Sequence, residues 1–138
     1  MIVMNPKLKD NGKEPLVVNL GEMTIANQNF RTALWTGDFL QITLMCVPPC
    51  EEIGLERHED TDQLLIVMQG YASVVMGKKH CQMEFRQKAC EGDVILIPAG
   101  MWHNVMNCGR EPLKIASVYA PPNHPWGTVQ DRREDEAY

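Results

Sequence analysis

The chain has 138 residues and a net charge of −5, and 44% of its residues are hydrophobic and 22% charged. This length suits a single domain with its own hydrophobic core, and the lack of a basic stripe predicts no nucleic-acid partner and no anionic membrane surface as partner. No apolar run approaches the roughly 18 residues that cross a bilayer, and the polar N-terminus carries no secretory pattern, so we expect a cytoplasmic location.

Composition divides the chain into an arm, a domain and a tail. Residues 1–15 are polar, with Pro, Gly and Lys, and predict a loose N-terminal arm. Residues 16–122 carry the strand pattern and form the predicted domain. Residues 123–138 are rich in charge and predict a C-terminal tail, which ends in a short helical or frayed segment.

Short strands separated by turns fill the predicted domain. The strand candidates, in chain order, are residues 16–18, 30–36, 39–47, 64–69, 71–76, 81–86, 94–97 and 113–119. Most of these segments are apolar, with β-branched or aromatic residues, and are bounded by Gly or Pro. Because no long window has the 3.6-residue period of a helix, the sequence predicts an all-β, antiparallel sandwich or barrel.

The five cysteines form no CxxC pair, and their number is odd. In a chain without a secretory pattern, this usage predicts reduced thiols rather than disulfides. Their spacing also matches no zinc ribbon. We therefore expect none of the cysteines to form a structural cross-link or a zinc site.

Residues 92–107 form the most informative segment. An apolar strand is followed by the turn Pro98–Gly100, and His103 then opens the next strand. A tight turn fixes the direction of this side chain, as a metal ligand requires. A histidine that only caps or packs at the start of a strand is the simpler alternative.

A second group of polar residues precedes the apolar strand at 64–69. Glu56 and His58 are two residues apart, so on an extended chain both point to the same face. Gln63 shares a face with Leu65 and Val67, at the start of a strand that is apolar on both faces. A buried amide at this position needs a partner, because leaving it unpaired costs on the order of 1–3 kcal/mol.

These two segments resemble the two motifs of the cupin superfamily. Residues 92–107 match the second motif, G-x5-P-x-G-x2-H-x3-N, at every defined position. The first motif, G-x5-H-x-H-x3-4-E-x6-G, is matched in spacing, with Cys50 for the first Gly, Glu56 for the first His and Gln63 for the Glu. His58 and Gly70 match that motif directly. The resemblance implies an antiparallel jelly-roll β-barrel with a metal site inside.

The resemblance also implies a set of metal ligands: Glu56, His58, Gln63 and His103. Two imidazoles and one carboxylate suit a divalent Fe, Mn, Ni or Zn ion, and a weak amide donor leaves a position that water or substrate can take. Two alternatives remain open at this point. Glu56 can be a surface carboxylate, and Gln63 can be a donor that orients a histidine rather than a ligand.

The sequence leaves the activity open. One hypothesis is a small cupin metalloprotein that acts on a small polar molecule, with dioxygenase- or isomerase-like chemistry. The second is a binding or sensing module without turnover, and the third is a metal-free structural role. No triad, phosphate loop or dinucleotide fingerprint is present.

Other features bear on the surroundings of this site. His124 is expected in a Pro-rich surface loop, with a position at the rim of the site as the alternative, and His80 is expected at an exposed turn. The apolar outer face of residues 64–68 and the segment 16–36, which can supply an augmenting strand, predict a homodimer.

Overall fold

A computed structural model describes residues 8–135 of the chain. Within these residues, the order of elements is one short helix, nine strands and a final 3-10 turn. They are α1 (Leu20–Ala26), β1 (Arg31–Thr36), β2 (Gln41–Val47), β3 (Asp62–Gln69), β4 (Tyr71–Gly77), β5 (Phe85–Cys90), β6 (Val94–Ile97), β7 (Trp102–Asn107), β8 (Leu113–Ala120), β9 (Val129–Gln130) and the 3-10 turn Arg133–Asp135.

The strands form two antiparallel sheets that face each other. The larger sheet has the order β6-β3-β8-β2-β1-β9, and the smaller has the order β5-β4-β7. The predicted all-β, antiparallel jelly-roll class is confirmed. The sheets pack as a sandwich around an apolar core rather than closing into one continuous hydrogen-bonded barrel, and this core is formed by Met45, Val47, Leu65, Val67, Val74, Val105, Leu113, Ile115 and others.

Strand register gathers polar side chains at one end of the interior. The row across β2, β8 and β3 at this end consists of buried Gln41, Tyr119 and Gln63. Four residues further along the strands, the matching row is apolar and consists of Met45, Ile115 and Val67. Because side chains alternate faces with a period of two, both rows point into the sandwich. The interior therefore has an apolar end and a polar end, and the candidate site lies at the polar end.

The expected strand at residues 16–18 is wrong. Val17 is 97% exposed, and helix α1 begins two residues after Val18. Asn19 caps this helix, because its side-chain oxygen accepts a hydrogen bond from the amide of Glu22 at 2.9 Å. The helix has only seven residues, too few to produce a clear helical period in the sequence.

The expected strand at 81–86 is displaced to Phe85–Cys90. The chain turns tightly before it, with the amide of Gln82 donating to the carbonyl of Lys79 at 2.9 Å. Gly77 permits this turn, since a Cβ there would lie 2.1 Å from the carbonyl oxygen of Gln82. Residues 81–84 therefore belong to the turn, and only Arg86 and its neighbour Phe85 lie in both the expected and the observed strand.

Helix α1 covers part of the outer face of the larger sheet. Met23 packs with Leu34, Leu44 and Ala116, and Ile66 and Met68 lie against this cluster. Ile66 and Met68, two residues of the outer face for which the sequence predicted a dimer contact, are therefore packed against residues of the same chain. The homodimer itself stays a prediction.

The two ends of the described chain meet at β1. Buried Asp10 accepts hydrogen bonds from the amides of Gly12, Thr36 and Gly127, each at 2.9 Å. The short strand β9 pairs with the opposite half of β1. Segments far apart in sequence are thereby fixed beside the polar end of the interior. Within residues 8–135, no helix is long and apolar enough to cross a membrane.

Candidate metal centre

Backbone pairing places Glu56 beside His103. The segment after β2 follows the outer edge of β7, where the amide of Ile53 donates to Val105 at 2.9 Å. Glu56 and His103 then exchange two backbone hydrogen bonds, each of 2.9 Å. Directly opposed residues of an antiparallel pair project their side chains to the same face. The carboxylate and the imidazole therefore point together into the polar end of the sandwich.

The turn at residues 98–100 places His58. The amide of Gly100 donates to the carbonyl of His58 at 2.8 Å, so the segment of the first motif is joined directly to the turn of the second. Gly100 has a φ of +82°, which glycine adopts without a steric cost. The predicted Pro98–Gly100 turn before His103 is thus present, and it orders His58 as well.

The resulting cluster consists of Glu56, His58 and His103. One potential ligand atom from each residue lies within 4.8 Å of the other two. Glu56 Oε2 and His58 Nε2 are 2.9 Å apart, and the two imidazole rings have their centroids 5.5 Å apart. Three of the four predicted ligand positions therefore converge, including the carboxylate that had a surface position as its alternative.

His103 has the protonation state of a metal ligand. Its Nδ1 lies 3.0 Å from the carbonyl oxygen of Met101, and a carbonyl can only accept, so Nδ1 carries the proton. Nε2 then keeps its lone pair. Burial lowers the pKa of His103, although the Met101 hydrogen bond and the charge of Glu56 partly oppose this effect. The ring is therefore neutral at physiological pH, as metal binding requires.

Glu56 is ionised despite its burial. Burial alone raises the pKa of this carboxyl, but the hydrogen bond from His58 and the positive charge of Arg31 outweigh it, and the net pKa is lowered. Arg31 Nη2 lies 3.8 Å from Glu56 Oε1. One carboxylate oxygen thus faces the histidine and the other faces the guanidinium.

Gln63 lies at the same end of the interior. Its Nε2 donates to Ser117 Oγ at 2.9 Å, and its Oε1 is buried without a hydrogen-bond partner among residues 8–135. On the neighbouring strand it pairs with Tyr119, whose ring lies edge-on to His58 with the centroids 5.9 Å apart. A buried carbonyl oxygen without a donor suits a weak ligand or the acceptor of a bound water. Its role as a ligand stays a prediction.

Three further residues border the cluster, and none of them is among the predicted ligands. Arg31 is fully buried on β1. Tyr119, also fully buried, lies between His58 and His124, with its hydroxyl 3.3 Å from His124 Nε2. His124 is half-buried rather than in an exposed loop, and burial together with the charge of Arg31 lowers its pKa to about 4. His124 is therefore neutral at the edge of the site.

Hydrogen bonds with Gln41 hold His124 at the edge of the site. Its Oε1 accepts from the amides of Asn123 and His124 at 3.0 and 2.9 Å, and its Nε2 donates to the carbonyl of His124 at 2.8 Å. A single buried amide on β2 thereby fixes the segment after β8. A polar residue inside an otherwise strand-like pattern at Gln41 is the one sequence signal that could have indicated this contact.

Among the described residues, neither His80 nor any cysteine belongs to the cluster. His80 is exposed, as expected, and its ring packs against Trp102 with the centroids 5.4 Å apart. Trp102 is on the face of β7 opposite to His103. All five cysteines are free, with no disulfide between them.

A jelly-roll whose interior carries two histidines and a carboxylate at one end defines a class of small β-proteins with a candidate metal centre. The profile of the Cupin domain family matches residues 43–119, which include both motif segments and all three clustered residues. The chain belongs to the cupin family.

Similar proteins extend this likeness beyond the matched region. The chain is 49% identical over 131 residues to the uncharacterized protein YrkC of Bacillus subtilis, and the aligned region covers 95% of this chain and 70% of YrkC. It is 35% identical over 124 residues to the uncharacterized protein L612 of Acanthamoeba polyphaga mimivirus, covering 89% of this chain and 76% of L612. The crystal structure of BH2720 from Bacillus halodurans superposes with a TM-score of 0.91 at 48% identity, covering 92% of this chain and 96% of that one.

Proposed function

We propose that the chain is a cupin metalloprotein that holds one divalent metal ion between Glu56, His58 and His103, and that binds or transforms a small polar molecule there. The observation that carries this proposal is the convergence of the three ligand atoms within 4.8 Å of one another. Two imidazoles and one carboxylate form the donor set of divalent Fe, Mn, Ni and Zn sites.

The geometry of the cluster fits such an ion. Metal–ligand bonds of about 2.0–2.2 Å place neighbouring ligand atoms roughly 3–4 Å apart. The separations of up to 4.8 Å need only small side-chain rotations to reach this range. His103 is neutral with Nε2 available, and Glu56 is ionised. The buried Oε1 of Gln63, which has no hydrogen-bond partner in the part of the chain that the structure describes, can complete the set as a weak metal ligand or accept a hydrogen bond from water.

A metal held here would supply Lewis-acid or oxygen-activating chemistry, of the dioxygenase or isomerase kind. The chain's own residues bind and orient the ion and its ligand. Glu56 and His58 are 16% and 14% exposed at the side chain, so both contact solvent, while His103 is buried at 3%. Binding without turnover, as in a sensing module, is the alternative that the experiment distinguishes.

Metal titration of the chelator-treated protein tests the proposal. We expect one Mn²⁺, Fe²⁺, Ni²⁺ or Zn²⁺ per chain by isothermal titration calorimetry and elemental analysis. His58→Ala and His103→Ala each weaken binding at least about 100-fold, because each removes a direct ligand. His80→Ala is the matched control, since His80 is exposed and lies outside the cluster. Absence of binding for all four ions, or equal loss in the control, would refute the metal site.

Turnover is tested on the metal-loaded protein. Oxygen consumption by the Fe²⁺ form with a panel of small carboxylates and sugars would support an enzyme. Ligand-induced stabilisation without oxygen uptake or product formation would support the binding module.

We further propose that the chain forms a homodimer in the cytoplasm. β5 and β6 are edge strands of their sheets, and Phe85, Val94 and Leu96 on them are each 49–64% exposed. Exposed apolar edge strands are commonly covered by a partner. Sedimentation of the purified protein as a monomer at micromolar concentration would refute the dimer.

A further inference from the structure

Strand β5 is the free edge of the smaller sheet. Among residues 8–135, it pairs only with β4, and the register runs without a bulge along the whole strand. At the end of β5, the amide of Cys90 donates to Asp93 Oδ2 at 2.8 Å, and the carbonyl of Cys90 accepts from the amide of Asp93 at 2.9 Å. The main chain of Cys90 therefore points away from β4. Because this direction alternates with a period of two residues, the amides of Arg86 and Lys88 also point away from β4, into the open edge.

The middle of this edge strand is positively charged. Arg86 and Lys88 are both exposed, and neither forms an ion pair within the described part of the chain. Glu84 before the strand and Glu91 after it confine the positive charge to these two positions. If β5 paired with β5 of a second copy, the two cations would face cations, which is destabilising. The edge therefore favours a strand with acidic residues at alternate positions, and a homodimer would use β6 rather than pair two copies of β5.

A cavity of about 500 Å³ opens on the inner side of the same edge, between β5 and β6. Its apolar and polar walls on these two strands include Phe85, Gln87, Ala89, Val94, Ile95 and Leu96. Ala89 and Ile95 belong to the apolar core, so the cavity reaches the interior of the sandwich. The residues of β5 that line it from the inner face alternate with Arg86 and Lys88, which therefore point outward. A strand added to β5 would direct alternate side chains into the cavity and the others toward the two cations.

We propose that β5 is a docking edge for an extended segment of a partner protein in which acidic residues alternate with apolar ones. The segment adds antiparallel to β5, its acidic side chains lie opposite Arg86 and Lys88, and its apolar side chains enter the cavity. In strand addition of this kind, main-chain hydrogen bonds supply affinity and the alternate side chains supply specificity. The residues of the proposed metal centre lie outside β5, so the inference does not depend on that centre.

Fluorescence anisotropy of labelled synthetic peptides at low ionic strength tests the proposal. The probe is a short peptide that alternates glutamate and valine. One control has lysine in place of glutamate, and another has serine in place of valine. We expect the probe to bind at least about tenfold more tightly than either control, and its affinity to fall as salt is added.

N-methylation of the probe tests for main-chain pairing. Residues opposite Arg86 and Lys88 in an antiparallel pair turn their own amides toward β5. These residues are the glutamates of the probe, so N-methylation of the glutamates should abolish binding. N-methylation of the valines is the matched control and should leave the affinity unchanged.

Variants and amide hydrogen exchange locate the binding site. Arg86→Gln combined with Lys88→Gln should weaken binding of the probe about tenfold, because two ion pairs are lost. Lys9→Gln removes an exposed positive charge outside β5 and the cavity, and it should leave the affinity unchanged. In the unmodified protein, hydrogen exchange followed by NMR should show that the probe protects the amides of Arg86 and Lys88, while the amide of Gln87, which faces β4, exchanges slowly with and without the probe.

Three results would overturn the inference. If the probe does not bind, or binds no better than the controls, the two cations only keep the edge from pairing. If the probe binds but protects amides outside β5, the docking site lies elsewhere. If the amides of Arg86 and Lys88 are already protected in the free protein, β5 is covered by a second copy or by residues outside 8–135, and sedimentation of the Arg86→Gln, Lys88→Gln variant then distinguishes these two occupants.

Discussion

The buried charge pair makes Glu56→Gln the most informative stability experiment. In the metal-free protein this isosteric change removes the negative charge 3.8 Å from Nη2 of the fully buried Arg31. At an effective dielectric constant of about 20, two charges at this distance interact by about 4 kcal/mol. Because the Glu56 side chain is 16% exposed, solvent screens part of this energy, and we expect a loss of about 2–3 kcal/mol in the free energy of unfolding.

Glu59→Gln is the matched control. Glu59 pairs with Arg57 at the shorter distance of 2.9 Å, but its side chain is 70% exposed. Exposed pairs of this kind contribute at most about 1 kcal/mol. The shorter distance alone would predict the larger loss of stability for Glu59→Gln, whereas the deeper burial predicts it for Glu56→Gln.

Urea unfolding in the presence of a chelator measures both variants. Following the transition by tryptophan fluorescence and by circular dichroism checks that unfolding has a single step. A loss below about 0.5 kcal/mol for Glu56→Gln, or an equal loss for both variants, would refute the account of Glu56 and Arg31 as a buried, mutually dependent pair.

Three further predictions concern the turns and the edge of the site. Gly100→Val and Gly92→Val should each destabilise the fold by about 1–3 kcal/mol, since both positions have a positive φ and open space around them. In metal titrations, only Gly100→Val should weaken metal binding, about tenfold or more, because the turn at Gly100 positions both His58 and His103. Cys50→Gly should stabilise the protein by about 0.5–1 kcal/mol in urea unfolding, because Cys50 has a φ of +66°, and an unchanged or lower midpoint would contradict this. His124 has a pKa of about 4 in the folded protein, below the value of 6.5 for the unfolded chain, so protonation of its ring opposes folding. The stability that the neutral ring contributes is therefore complete above pH 6.5. It declines by at most about 3 kcal/mol as the pH falls to 4. His124→Gln should make this decline shallower in thermal melts of the metal-free protein at pH 4.5–7, and an identical slope would place His124 in solvent.

Local patterns predicted the fold class and several features of the site, whereas the grouping of Glu56 and His58 with His103 was implied by the resemblance to the two cupin motifs. The strand Val94–Ile97 begins and ends where expected, because Gly92 and Pro98 mark its limits in the sequence. The spacing of Glu56 and His58 placed both on one face, and the turn before His103 is the one the sequence indicated. Each of these features depends on residues within a few positions of one another.

Contacts between distant segments could not be predicted in the same way. Arg31 and Gln130 are 99 residues apart, and Gln41 holds a segment 83 residues away. Nothing in a single sequence specifies which arginine of a strand enters the interior, since the charge itself favours the surface. Helix α1 was missed for a different reason, because seven residues give fewer than two full turns of period.

The identity of the residues that hold a metal is the central claim, and anomalous diffraction from crystals of the Zn²⁺- or Mn²⁺-loaded protein tests it most directly. We predict one anomalous peak per chain within about 2.0–2.3 Å of Glu56, of Nε2 of His103 and of a ring nitrogen of His58, which are the bond lengths of such sites. A peak elsewhere, or none from protein shown by elemental analysis to contain metal, would contradict it.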